Sequence, residues 1–113
     1  RQPVERVDVA DRISAEAKLV VGRDERDNQG IERLCRQGDL LFLPPEDIAG
    51  ASALGRGRFS REELEFCAKI VARYCDLGGQ EAVNISYRVF PGSGVELIRT
   101  APLVDAELLK YRL

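Results

Sequence analysis

The residues with the most chemical potential in this chain are arginines, and they gather beside glycines. Arg23, Arg26, Arg33 and Arg36 follow Gly22, and Arg56 and Arg58 flank Gly57. A guanidinium forks onto phosphate or carboxylate oxygens and stacks on flat rings, so clustered arginines point to anion chemistry. On a helical wheel at ~100° per residue, Arg23, Arg26, Arg33 and Arg36 fall within an arc of about 140°, turned largely away from Ile31 and Cys35. Gly22 ends the apolar run Leu19-Val20-Val21, and Asn28 follows one helical turn on. That order describes a strand turning sharply into a helix, whose first amides and partial positive charge would add to an anion seat. Arg56 and Arg58, in a glycine-rich turn, could extend the patch. The plain alternative is a solvated face, because Asp24, Glu25, Asp27 and Glu32 share the same helix and could form ordinary i,i+4 pairs. Gly22 likewise has a plain role as a turn residue.

Other chemistries find little to work with. The chain has no histidine, which removes the commonest general base and every Ser-His or Cys-His pair. Cys35, Cys67 and Cys75 are odd in number and form no CxxC motif, so neither a disulfide framework nor a zinc site is expected, and a reducing cytoplasm fits. Cys35 and Cys67 fall in apolar stripes and read as small hydrophobes. Cys75, at a predicted helix end beside Asp76, is the one thiol open to reactivity. No GxSxG or Walker lysine loop occurs, and Gly92-Ser93-Gly94 reads as a hairpin. No catalytic residue, metal ligand or cofactor is therefore expected in this domain itself.

These side chains need a scaffold, and 113 residues with 44% hydrophobic content suffice for one core. No apolar run approaches the ~20 residues of a membrane span. The net charge is −2, and residues 1–61 carry 11 basic against 11 acidic side chains, so any anion-binding surface must come from local clustering. The chain lacks methionine. Arg1 is thus not expected to be a natural start, and the chain reads as part of a longer protein. Residues 1–17 are expected to be a linker or edge strand from a preceding domain, with 18–113 the domain proper.

The order of elements follows from periodicity. Val4, Val7 and Val9 suggest an opening strand. Lys18 to Gly22 reads as a strand, Asp24 to Gln37 as a helix capped by Gly38, and Leu40 to Leu43 as a buried strand stopped by Pro44-Pro45. Ile48 to Leu54 reads as a small-residue strand, and Gly55-Arg56-Gly57-Arg58 as a turn. Ser60 and Glu63 have the spacing of a capping box, opening a helix to about Cys75 with Leu64, Cys67, Ala68, Val71 and Tyr74 along its core stripe. Val83, Ile85, Tyr87 and Val89 alternate as a strand. Pro91 to Gly94 turns into a strand over Val95 to Thr100, and Asp105 to Tyr111 could form a last helix. The sum is an α+β domain, a mostly antiparallel sheet with two main helices packed on it.

Val21-Gly22-Arg23 with Asn28 resembles the opening motif of the NFACT-R (DUF814-like) domain. Asp39 before Leu40 to Phe42, Gly50 in a small-residue loop, the helix segment Ala68 to Tyr74 and the strand Val83 to Tyr87 follow in the same order. The resemblance is to the branch at the C-terminus of proteins with a PP-loop ATPase domain, which are similar to tRNA thiouridine-forming enzymes. It implies an RNA-binding module, for tRNA, that presents substrate to a PP-loop domain of the same parent chain. The parent would then be a tRNA sulfurtransferase, with ATP belonging to that other domain. Gly22, Arg23, Arg26, Asn28, Arg33, Arg36, Ser52, Arg56 and Arg58 are the RNA-binding candidates. Many members carry a tryptophan and histidines where this chain has Leu40 to Leu43 and Ala49-Gly50-Ala51-Ser52, and Ser52 could donate one hydrogen bond in place of a ring nitrogen. The alternative is a protein-docking or homodimerisation module without nucleic-acid contact, using Ala49 to Leu54 or the exposed hairpin.

Overall fold

The computed structural model describes residues 16–22, 25–102 and 104, with residues 25–29 described by their backbone alone. The expected strand at Val4 to Val9, the expected helix at Asp105 to Tyr111, Arg23, and the side chains of Arg26 and Asn28 lie outside the described residues. The elements run β1 (Ala17–Val21), α1 (Glu25–Leu34), β2 (Leu40–Leu43), β3 (Ala53–Gly57), α2 (Arg61–Arg73), β4 (Val83–Val89) and β5 (Glu96–Thr100). The strands form one sheet in the order β1-β3-β2-β4-β5, every neighbouring pair antiparallel. The expected α+β class, with a mostly antiparallel sheet and two packed helices, is the observed one.

Strand alternation decides which helix takes which face. Ala17, Leu19 and Val21 of β1 point the same way as Phe42, Ala53, Ile85 and Ile98, and they meet Cys67, Ala68, Ile70 and Val71 of α2 in the main core. Phe42 is its largest fully buried side chain, its ring 5.5 Å from that of Tyr87. The intervening residues face the other way: Leu41 and Leu54 pack under Ile31 of α1, with Val20, Cys35 and Leu43 at the rim. The helices therefore clasp the sheet from opposite sides. Each fully buried aliphatic side chain contributes about 1.5–3 kcal/mol relative to exposure.

Two expectations are corrected by backbone packing. The small-residue strand begins at Ala53 rather than Ile48, and Gly55 to Gly57 continue it instead of turning. The glycines are there for close approach. Gly57 has φ +115°, and a Cβ on it would overlap the Glu16 carbonyl oxygen, which accepts the Arg58 N–H at 2.9 Å. A Cβ on Gly55 would lie 3.0 Å from the Phe59 ring. Helix α1 stops at Leu34, short of Gln37. Its last turn tightens as the Cys35 N–H donates to the Glu32 carbonyl at 3.2 Å, and the Asp39 carboxylate accepts the Arg36 N–H at 2.8 Å. Gly38 is left-handed at φ +93°, but its N–H donates to Phe90 at 2.8 Å, tying the turn to the end of β4 rather than capping the helix.

Helix α2 opens as its sequence dictates. The Glu63 N–H donates to Ser60 Oγ at 3.1 Å, and the Ser60 N–H donates to Glu63 Oε1 at 2.8 Å. Ser60→Ala is expected to cost about 1 kcal/mol in urea-induced unfolding, with the slope of the transition unchanged.

Candidate anion-binding site

Gly22, just after β1, and the loop before β3 lie side by side. The Gly22 N–H donates to the Ser52 carbonyl at 2.9 Å, one step beyond the Val21↔Ala53 pair, so two candidates far apart in sequence become neighbours. Ser52 is only 7% exposed and Gly22 is buried. Arg33 and Arg36 are exposed at the end of α1 and in the turn beyond it, and Arg58 is exposed just after β3. Because α1 ends at Leu34, Arg36 is off the helix and the arc of four helical arginines does not form.

Arg56 has a different use from the one its glycine-flanked position suggests. It lies in β3, where its guanidinium grips Asp39: Nε donates to Oδ1 at 3.0 Å and Nη2 to Oδ2 at 2.7 Å. Nη2 also donates to the Leu34 carbonyl at 3.1 Å, so one side chain ties β3, the α1 C-terminus and the turn into β2. Cationic donors suit a helix C-terminus, where unpaired carbonyls carry partial negative charge. Asp39 is buried in this grip, and the fork from Arg56 holds its carboxyl below the usual carboxylate range despite the opposing cost of burial. The same bond raises the Arg56 pKa.

Lys18, a polar residue inside an apolar strand, is the neighbour that arginine counting misses. It is exposed and is the direct cross-strand partner of Arg56. Its signal was its break in the Leu19-Val20-Val21 pattern. Arg88, by contrast, is occupied: Nη1 donates to the Gly92 carbonyl at 2.8 Å, Nη2 lies 3.9 Å from Glu32, and the guanidinium sits over the Phe90 ring.

The thiols are held as packing groups. Burial pushes Cys67 up to about 12 and raises Cys75, whose Sγ donates to the Val71 carbonyl at 3.4 Å. Burial, followed by the charge of Asp39, raises Cys35 as well. A protonated thiol is the reverse of an activated nucleophile. Among the described residues, no group of three or more His, Cys, Asp or Glu side chains could hold a metal ion, and no helix is long and apolar enough to cross a membrane.

The Ala49 to Leu54 docking surface is corrected by the sheet order. Ala51, Ser52, Ala53 and Leu54 are buried and β3 is an inner strand, flanked by β1 and β2. The Pro91 to Gly94 hairpin is exposed. Elsewhere on the α1 side of the sheet, an open groove of about 540 Å³ is lined by Leu43, Pro44, Ile48, Asn84, Leu97 and Arg99, among others.

Comparison with known proteins places the chain in a family. The model of the NFACT protein RNA binding domain, NFACT-R_2, matches residues 12–112. No curated protein matches the chain. Among solved structures, the C-terminal part of the fibronectin/fibrinogen-binding protein from Streptococcus suis is similar, with a TM-score of 0.74 and 18% identity. That likeness covers 100% of this chain and 50% of the other, so the chain spans half the length of that relative. At this identity the likeness is one of fold.

Proposed function

Because the chain belongs to the NFACT protein RNA binding domain family, we propose that it is an RNA-binding module that grips phosphates through the basic side chains around the end of α1. The observation that supports this reading is that exposed Arg33 and Arg36 flank the end of α1, where Arg56 donates to the Leu34 carbonyl and the Arg36 N–H donates to Asp39. A guanidinium held by a partner, as that of Arg56 is by Asp39, binds phosphate with little ordering cost. Within a longer parent chain, the module would offer tRNA to a PP-loop domain that carries out thiolation using ATP.

The test is affinity for tRNA measured across a range of salt. Arg33→Ala is expected to weaken binding severalfold at low ionic strength and to flatten the salt dependence by about one unit of slope. A chain that shows no salt-sensitive affinity for tRNA would refute the reading.

A second reading, a protein-docking module without nucleic-acid contact, is favoured by a separate observation. Leu97 is 63% exposed on the wall of the groove between β2, β4 and β5, where a partner could cover it. The structurally similar Streptococcus suis protein is named for binding fibronectin and fibrinogen. Concentration-dependent association in sedimentation that Leu97→Glu abolishes and Arg33→Ala leaves intact would favour docking over RNA binding.

A further inference from the structure

We infer that Lys18, Arg36 and Arg56 form a single phosphate seat around Asp39, in which Asp39 is the positioning residue that turns the free edge of the Arg56 guanidinium outward. The inference rests on the RNA reading above and specifies where a phosphodiester sits. Arg56 spends Nε and Nη2 on Asp39 and Leu34, while Nη1 makes no hydrogen bond to a described residue. Its side chain is 43% exposed. The guanidinium is thus clamped along one edge and presents the remaining nitrogen to solvent in a fixed direction.

Its neighbours start from adjoining positions. Lys18 stands opposite Arg56 in the antiparallel β1–β3 pair, so both side chains leave the same face, with Cβ atoms about 4.5–5.5 Å apart. Arg36 donates its backbone N–H to Asp39 Oδ2, so its exposed side chain starts from the same turn. Asp39 does not repel an incoming anion as a bare carboxylate would. It is only 6% exposed, Oδ1 accepts Arg56 Nε, and Oδ2 accepts both Arg56 Nη2 and the Arg36 N–H. Three cations around one covered carboxylate leave an outward excess of positive charge. Lysine supplies a point charge there, and the arginine edge supplies direction.

The experiment titrates the whole chain with a short single-stranded oligouridylate over a range of potassium chloride, following the Arg56 Nε–H resonance by NMR alongside affinity. Lys18→Gln, a surface change that leaves the core untouched, is expected to weaken binding about three- to tenfold at low salt and to lower the salt slope by about 0.7. Arg56→Lys, which keeps the charge but loses the fork, is expected to weaken binding at least as much, with thermal melts reporting whether the fold persists. The wild-type Nε–H signal is expected to shift with oligouridylate and to stay in place with the same concentration of inorganic phosphate. An equal shift with inorganic phosphate would overturn the assignment to RNA. Wild-type binding that Lys18→Gln leaves unchanged in affinity and slope would overturn the seat while sparing the RNA reading, and absence of wild-type binding would remove both.

Discussion

Gly57→Ala is expected to be the most damaging single-methyl change in the described chain, lowering unfolding free energy by at least about 3 kcal/mol. Two costs combine. Gly57 sits at φ +115°, a region that a Cβ makes unfavourable, and the new methyl would overlap the Glu16 carbonyl oxygen. The β1–β3 pair cannot move aside cheaply. That same oxygen accepts the Arg58 N–H, and Gly57 pairs with Ala17 at the start of the ladder. A loss of this size is a large share of the 5–15 kcal/mol that holds a typical domain. Gly38→Ala provides the control: it is also left-handed, at φ +93°, but has nothing within 4 Å of the added carbon. It is expected to cost only about 1–2 kcal/mol. Urea unfolding of the two variants separates conformational strain from collision, and equal destabilisation would show that the Glu16 contact is unimportant.

Asp39→Asn should give the second large effect, about 2–3 kcal/mol at neutral pH, scaled for charge-assisted hydrogen bonds and kept low because Arg56 is 43% exposed. The amide cannot accept the fork from Arg56 together with the Arg36 N–H, and its own N–H₂ faces donors. Acid sensitivity follows from the same bond. The folded pKa of Asp39 is depressed, so its contribution is fully present above the unfolded value of about 3.9 and is lost as pH falls through the folded value. Wild-type stability should therefore drop below about pH 4 by more than that of Asp39→Asn, the two curves converging in acid. Parallel curves down to the acid limit would show that Asp39 is not a stabilising anion.

Much of the scaffold was legible because its signals are local. The period-2 pattern of Val83 to Val89 and the capping box ahead of α2 each describe a segment whose own residues specify its shape, and both elements lie where expected. Pro44 ends β2 for the same reason, since it lacks the N–H that a ladder needs. The Gly55 to Gly57 segment was not legible in this way. Glycine signals backbone freedom, and freedom serves a turn or a close crossing equally well. Only Glu16 and Phe59, brought in from elsewhere in the chain, decide in favour of the crossing. Helix α1 misled for a related reason. Its helical pattern runs past Leu34, but the Asp39 carboxylate competes for the Arg36 N–H and Arg56 takes the Leu34 carbonyl.

The sequence alone determined the family, the α+β class and the concentration of arginine near the first strand-to-helix junction, because order, periodicity and composition are properties of the chain as written. Tertiary structure decided what Arg56 can do. Arg56 is 17 residues from Asp39 along the chain, and no local pattern marks them as partners. Their meeting depends on β3 inserting between β1 and β2, a non-local pairing. That insertion places Lys18 beside Arg56 and joins Gly22 to Ser52. Charge type is written in the residue, but the direction in which a charge faces is set by what folds against it.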